Sequence, residues 1–187
     1  YYQHPQFMHL FVPKFVILFI ALFLNNFLFA NKKTTNSSVS FEVEIKNRLL
    51  QKSGVFDLRY TPAVQDDIES YLIRGKRTTK KIIARSQIYF PIIEKYLKEA
   101  GLPDELKYMT VIESALNANA LSPAGAVGLW QLMPNTARRY GLRVSDTVDD
   151  RRDVHKSTQA AIKYLAHLKE KLGNWTLAVA AYNCGGG

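Results

Sequence analysis

Pro103-Asp-Glu-Leu-Lys-Tyr-Met-Thr-Val-Ile-Glu-Ser-Ala-Leu-Asn117 starts as a helix should, with a proline to open it and Asp104 and Glu105 in the first turn, where the helix dipole favours negative charge. At 100° per residue, Leu106, Tyr108, Met109, Ile112, Ala115 and Leu116 share one broad arc, with Lys107, Thr110, Ser114 and Asn117 opposite. Glu113 projects between Leu106 and Met109, inside the apolar arc. Two readings follow from the projection alone. A rim glutamate would snorkel its carboxylate to water. A desolvated one would hold its proton more tightly and approach the pKa a general acid needs near neutrality.

The stretch downstream supplies surroundings for such an acid. Ser122-Pro-Ala-Gly-Ala-Val-Gly128 is a loop whose two glycines let backbone come close to a ligand. It runs into Leu129-Trp-Gln-Leu-Met-Pro134, which carries a stackable indole and one amide. Trp130 and Met133 suit a core equally well, but Gln131 between them needs a polar partner if buried. Sugars offer apolar ring faces and many hydroxyls, so an indole beside amides and hydroxyls suits a glycan.

Moving outward, the remaining periodicity is helical. Thr61 caps and Pro62 opens a helix with Val64, Ile68, Tyr71 and Leu72 inward, stopped by Gly75. The basic cluster Arg74 to Lys81 reads as a solvated turn. Ile88, Ile92, Ile93, Tyr96 and Leu97 form the next apolar stripe, interrupted by Pro91 and ended by Gly101. Asp153 or Ser157 caps a helix carrying Ile162, Leu165, Leu168 and Leu172, closed by Gly173. Asn174 caps the last helix, Trp175 to Asn183, whose Ala178, Ala180 and Ala181 allow close helix approach. Only Val39, Phe41, Val43 and Ile45 alternate as a brief extended segment would. The expected fold class is mostly α.

Residues 1–31 differ from the rest, with one formal charge, Lys14, and seven of the ten Phe. Phe15-Val-Ile-Leu-Phe-Ile-Ala-Leu-Phe-Leu24 is an unbroken apolar run, too short for a spanning helix of about 20 residues. A basic residue, an apolar run and a small residue, Ala30, before a polar segment make the layout of an export signal, cut off or kept as a membrane anchor. A buried core helix is the alternative reading. The chain opens on Tyr1 rather than Met, so it is expected to begin away from the normal start of its reading frame. Asn31 to Ser40 reads as a linker. The body beyond has 24 basic and 16 acidic residues, a net +8, which suits a polyanionic partner. No nucleic-acid motif accompanies that charge, and an export segment argues against nucleic acid. A hydrophobic content of 47% excludes a disordered chain, and the lone Cys184 excludes an internal disulfide. His4, His9, His155 and His167 are scattered at no metal-binding spacing, so neither metal nor other cofactor is expected.

Ile112-Glu113-Ser114, Ser122 with Gly125 to Pro134, and Ala181-Tyr-Asn183 resemble, in order and spacing, the catalytic signature of bacterial lytic transglycosylases of the soluble-lytic-transglycosylase (SLT) type. Trp130 before Gln131, Tyr140-Gly-Leu142, Val148-Asp-Asp-Arg-Arg-Asp153 and Thr158 bring it nearest the membrane-bound murein D branch. The likeness runs from about Ala84 to Asn183. It implies a lysozyme-like, mostly α domain that cuts the β-1,4 bond between N-acetylmuramic acid and N-acetylglucosamine in peptidoglycan, leaving a 1,6-anhydromuramyl end. Glu113 takes the place of that family's single acid and base. By position, Tyr182 would hydrogen-bond or orient Glu113, Ser122 and Gln131 would contact the N-acetyl sugar, Met133 would line the groove, and Asn183 would hold loop or sugar. A hydrolytic muramidase of goose-lysozyme type and a non-catalytic wall-binding protein are the alternatives. The implied organisation is a signal peptide or membrane anchor over 1–31, a linker and helical lead-in over 32–80, and a catalytic domain over 81–187. The implied partner is the peptidoglycan glycan strand, met by an exported, periplasmic or envelope monomer, with the N-terminal segment a possible membrane tether. The family continues beyond Ala-Tyr-Asn with a Gly-x-Gly turn and more helices. With the last helix lacking a C-terminal neighbour, the chain as written is expected to be truncated, weakly active and marginally stable.

Overall fold

The computed structural model describes residues 61–184 together with Val43, Asn47 and Phe56. Residues 1–31 and Asn31 to Ser40 lie outside the described residues, as do Val39, Phe41 and Ile45. Val43, expected in an extended segment, is helical and exposed. The chain divides into two compact units between Thr79 and Lys80. The described residues are mostly helical, as expected, and contain only isolated β-bridges. No helix among them is long and apolar enough to cross a membrane.

In the first unit, α1 (Pro62–Glu69) starts at Thr61, whose hydroxyl accepts from Val64 N at 3.3 Å. It buries Val64 and Ile68 and then widens into a π-helical turn, Ser70–Arg74. The side chain of Leu72, also expected inward, lies outside the described set. Thr79 Oγ1 donates to Tyr71 O at 2.6 Å. The basic stretch expected as a turn is helical instead, because α2 (Lys76–Glu99) begins directly after Gly75.

The rest of α2 lies in the second unit and corrects two expectations. Pro91 does not interrupt the helix. Both Pro91 and Gln87, whose carbonyl loses its donor, are exposed, so water can satisfy that carbonyl. Ile88 is 64% exposed, whereas Ile82, Ile93 and Leu97 are buried. Ile88 sits roughly 140° around the helix from Ile93, off the inward face.

The stretch 103–117 is not one helix. Asp104–Tyr108 is a 3-10 helix, α3 spans only Met109–Ser114, and Ala115 (φ 51°) and Leu116 (φ 57°) turn left-handed to end it. Of the side expected to be solvated, Lys107 and Thr110 are buried and Ser114 and Asn117 half-buried. Thr110 is fully buried and donates to Lys107 O at 2.7 Å. Lys107 is 7% exposed, its ammonium held by Glu94 and Asp104 and lying 5.4 Å from the rings of Phe90 and Tyr108. Two carboxylates and two rings offset the cost of desolvating that cation.

Beyond the loop, Met133 precedes the short α4 (Pro134–Arg139), and a 3-10 turn (Asp150–Arg152) leads to α5 (Val154–Leu172). Asp153 caps α5 by accepting from Lys156 N at 2.9 Å, and Gly173, at φ 82°, closes it. Asn174 Oδ1 accepts from Leu177 N at 2.8 Å to start α6 (Trp175–Cys184). The buried core of this unit includes Leu165, Leu168 and Ala161 on α5 with Ala178, Val179 and Tyr182 on α6.

Candidate active site

Glu113 occupies the last turn of α3, where the left-handed pair that follows leaves the helix no further turn to cover it. Its carboxyl is largely withdrawn from water, and burial pushes its pKa up from 4.5 to about 7. Of the two readings open from the projection, the desolvated acid is the one the fold adopts. The reason differs from the projected one, since α3 is a short helix whose first three residues, Met109, Thr110 and Val111, are all buried, so no polar face runs along it.

The neighbouring serine ties this helix end to the loop. Ser114 Oγ lies 2.9 Å from Thr110 O and 3.0 Å from Leu129 O, and accepts from Asn117 N at 3.2 Å. The helical projection puts Ser114 on a solvated face, and only the fold shows it as the strut that carries α3 to Leu129.

The loop is built on itself. Ser122 Oγ accepts from Ala126 N at 3.0 Å while Ser122 N donates to Ala126 O at 2.9 Å. Val127 pairs in bridges with both Leu121 and Leu132. Gln131 is left-handed at φ 46°, and its Nε2 donates to Gly128 O at 2.9 Å, which leaves Oε1 as the end able to meet a ligand. Gly128, at φ 86°, packs so tightly on the carbonyl of Arg151 that no Cβ fits.

Arg151 is the clamp beneath the loop. Its Nη1 donates to Gly125 O at 2.8 Å and to Leu132 O at 3.1 Å, while Asp149 accepts from Nε at 2.8 Å and from Nη2 at 2.9 Å. That ion pair holds the Asp149 carboxyl below its usual range. Asp150 is held low in the same way by Arg143 and Lys156. Asp149 and Asp150 are therefore committed to ion pairs.

Trp130 is fully buried and donates from Nε1 to Thr158 Oγ1 at 3.0 Å. It is thus a wall of the site, with no face open for a sugar to stack on. Thr158→Val removes the acceptor and keeps the shape, so it is expected to cost about 1–3 kcal/mol from the orphaned indole N–H. Thermal melting checks this, with Thr158→Ser expected to stay close to the parent chain.

Tyr182, on α6, is buried, and its hydroxyl donates to Trp130 O at 2.7 Å. It lies close enough to Glu113 for that carboxylate's charge to help push the phenol pKa up, after burial itself. The phenol proton thus goes to the Trp130 carbonyl, and no hydrogen bond joins Tyr182 to Glu113 among the described residues. The Tyr182 ring rests on Tyr164 (5.1 Å between centroids), which rests on Tyr140 (5.2 Å). Asn183 Nδ2 donates back to Val179 O at 3.0 Å, and Met133 is 41% exposed at the start of α4. The fold brings Glu113, the loop through Trp130, and Tyr182 together around one backbone segment, 129–130. Arg151 and Thr158, legible in the sequence only as part of a resemblance, prove to be its supports.

Residues 90–187 match the family model described as the Transglycosylase SLT domain. The chain belongs to that family. The helical fold described above is accordingly the lysozyme-like one expected of an SLT domain. The chain is 38% identical over 125 residues to membrane-bound lytic murein transglycosylase D of Escherichia coli (strain K12), covering 66% of this chain and 27% of that protein. It is 40% identical over 105 residues to a putative tributyltin chloride resistance protein of Alteromonas sp. (strain M-1), covering 56% of this chain and 51% of that one. Membrane-bound lytic murein transglycosylase C of Actinobacillus pleuropneumoniae serotype 5b (strain L20) is 29% identical over 157 residues, covering 67% of this chain and 43% of its own length. The SLT chain therefore spans between about a quarter and a half of the length of these relatives.

Proposed function

We propose that this SLT domain is a peptidoglycan lytic transglycosylase that cleaves the β-1,4 bond between N-acetylmuramic acid and N-acetylglucosamine with Glu113 as acid and then base. The observation that carries the reading is a carboxyl withdrawn from water at the end of α3 with no cation paired to it among the described residues, its pKa pushed up to about 7 by burial. Protonated Glu113 gives its proton to the glycosidic oxygen as the bond to C1 breaks. The resulting carboxylate takes the proton of the muramyl C6 hydroxyl as that oxygen bonds to C1, which closes the 1,6-anhydro ring and regenerates the acid. No water is consumed. Hydrolases that use two carboxylates need a second one poised to act as nucleophile or to activate water. Here Asp149 and Asp150 are held in ion pairs, and an attacking hydroxyl within the same sugar supplies its own high effective concentration. Tyr182 acts as a positioning residue by pinning Trp130 beside Glu113. Ser122, Gln131 Oε1, Met133 and Asn183 are the groups offered to the glycan.

In this reading residues 81–187 form the catalytic unit, 32–80 the lead-in, and 1–31 an export signal or membrane anchor that places the enzyme in the cell envelope. Mass spectrometry of digested sacculi tests the chemistry. Muramyl ends lighter by one water are expected; reducing ends would make the protein a hydrolase, and no release with retained binding would make it a wall-binding module. The pH profile supplies a second test. Because the acid form starts the reaction, kcat/KM is expected to be level below pH 7 and to fall about tenfold per unit well above it. A profile that falls already near pH 4.5 would remove Glu113 as the acid.

A further inference from the structure

Ala115 and Leu116 are the strained point of the site. Helices that end left-handed do so most often on glycine, which has no Cβ to clash with the following carbonyl. Here two residues in a row, at φ 51° and φ 57°, carry side chains in that conformation directly after Glu113 and Ser114. Each opposes the preference of L-residues, so the turn persists only because its surroundings hold it.

The holds are of three kinds. The Leu116 side chain is fully buried. Within the turn, Ala115 N donates to Val111 O at 2.8 Å and Leu116 N to Thr110 O at 3.1 Å. The third hold comes from another helix, where Arg85 on α2 donates from Nη1 to Ala115 O at 3.0 Å. Among the described residues, that is the one hydrogen bond reaching the pair from outside α3. Arg85 follows the buried Ile82 by three residues, which keeps it toward the inward side of α2, and it is itself half-buried. A charged donor to a carbonyl makes a stronger bond than a neutral one, and partial burial shields it from competing water.

Arg85 does not touch the acid. No hydrogen bond or ion pair joins it to Glu113 among the described residues, and the titratable group close to that carboxyl is Tyr182 on α6. Its bond falls two residues further on, at the turn that ends α3.

We infer that Arg85 is a positioning residue for Glu113: by holding Ala115 O it keeps the left-handed turn closed, and the closed turn keeps the carboxyl at the end of α3 withdrawn from water. The inference rests on the role proposed for Glu113 and adds the device that sets that residue's surroundings.

Arg85→Met removes the donor and keeps an unbranched, helix-favouring stem. Two readouts are taken well below the melting temperature. In the chain labelled with ¹³C at the glutamate carboxyls, the Glu113 titration midpoint is expected to fall from about 7 toward 4.5 as water reaches the carboxyl. With soluble glycan strands, kcat for cleavage is expected to fall tenfold or more, with KM within about twofold. Ala115→Gly, which accepts the left-handed conformation without strain, should restore most of both losses when added to Arg85→Met. A midpoint that rises would show the guanidinium acting through its charge, and one that stays would make the bond a cap for α3 alone; either overturns the inference. So would a raised KM at constant kcat, which would put Arg85 on the glycan, or a double variant no better than Arg85→Met. The titration is read whether or not glycan is cut, so a lowered midpoint in a chain without turnover would keep the positioning and remove only the reaction assigned to Glu113.

Discussion

Glu113→Gln is expected to abolish glycan cleavage, by at least about a thousandfold, and at the same time to raise the melting temperature at neutral pH. The loss follows from the mechanism, since an amide can neither protonate a glycosidic oxygen nor take the C6 hydroxyl's proton. The gain in stability follows from the same burial that makes Glu113 useful. A carboxyl whose pKa is about 7 in the folded chain and 4.5 otherwise holds its proton across that window only when folded. Folding is therefore favoured most below pH 4.5, and stability is lost as pH climbs from 4.5 to 7. A shift of that size corresponds to about 3 kcal/mol at neutral pH, an upper figure because the carboxyl retains some contact with water. Gln carries no such charge. The variant should melt about 5 °C or more above the parent at pH 7.5, with the difference shrinking to nothing near pH 4. A variant that melts below the parent at pH 7.5, or a difference that does not change with pH, would place the carboxyl in water and remove the basis for its role.

Gly128→Ala is expected to be the most damaging single methyl group in the loop. Two costs coincide there. At φ 86° an L side chain is strained by roughly 1–2 kcal/mol, and the added Cβ would collide with the backbone carbonyl of Arg151, which no rotamer change can move. The loop would have to lift off, breaking the Gly128 N to Ala120 O bond of 2.9 Å and loosening the Arg151 contacts to Gly125 O and Leu132 O. A loss of about 3 kcal/mol or more is expected, and with it the seating of Trp130 and Gln131. Gly125→Ala is the matched control. Gly125 has nearly the same φ, 88°, but its Cβ would meet nothing within 4 Å, so only the same strain of roughly 1–2 kcal/mol remains. Comparable melting temperatures for the two variants would show that the approach of Arg151 is looser than described.

Much of the second unit was legible because its signals are local. Asp153 and Asn174 cap helices through bonds to residues three positions on, and Gly173 closes α5 through its own φ, so neighbours in sequence suffice to read them. Errors arose where a periodic pattern was extended past what local chemistry enforces. One helical period through 105–117 implies a single helix and does not show the left-handed pair Ala115 and Leu116. It also put Lys107 and Thr110 in water, because nothing nearby in sequence announces that Glu94, thirteen positions away, and two rings would receive the lysine. Gln131 was expected to need a polar partner, and Gly128 O answers that need from within the loop.

By itself the sequence determined the helical class of the chain, most of its caps and stops, and the candidacy of Glu113. These depend on side-chain periodicity and on hydrogen bonds that close within a turn. Only the tertiary structure decided that Glu113 is withdrawn from water, that Ser114 braces Leu129 O, that Thr158 receives the Trp130 indole and that Tyr182 pins the Trp130 carbonyl. The last two join residues 28 and 52 positions apart. Desolvation and long-range partnering are properties of whichever groups the fold brings near, and a linear pattern does not encode which groups those will be.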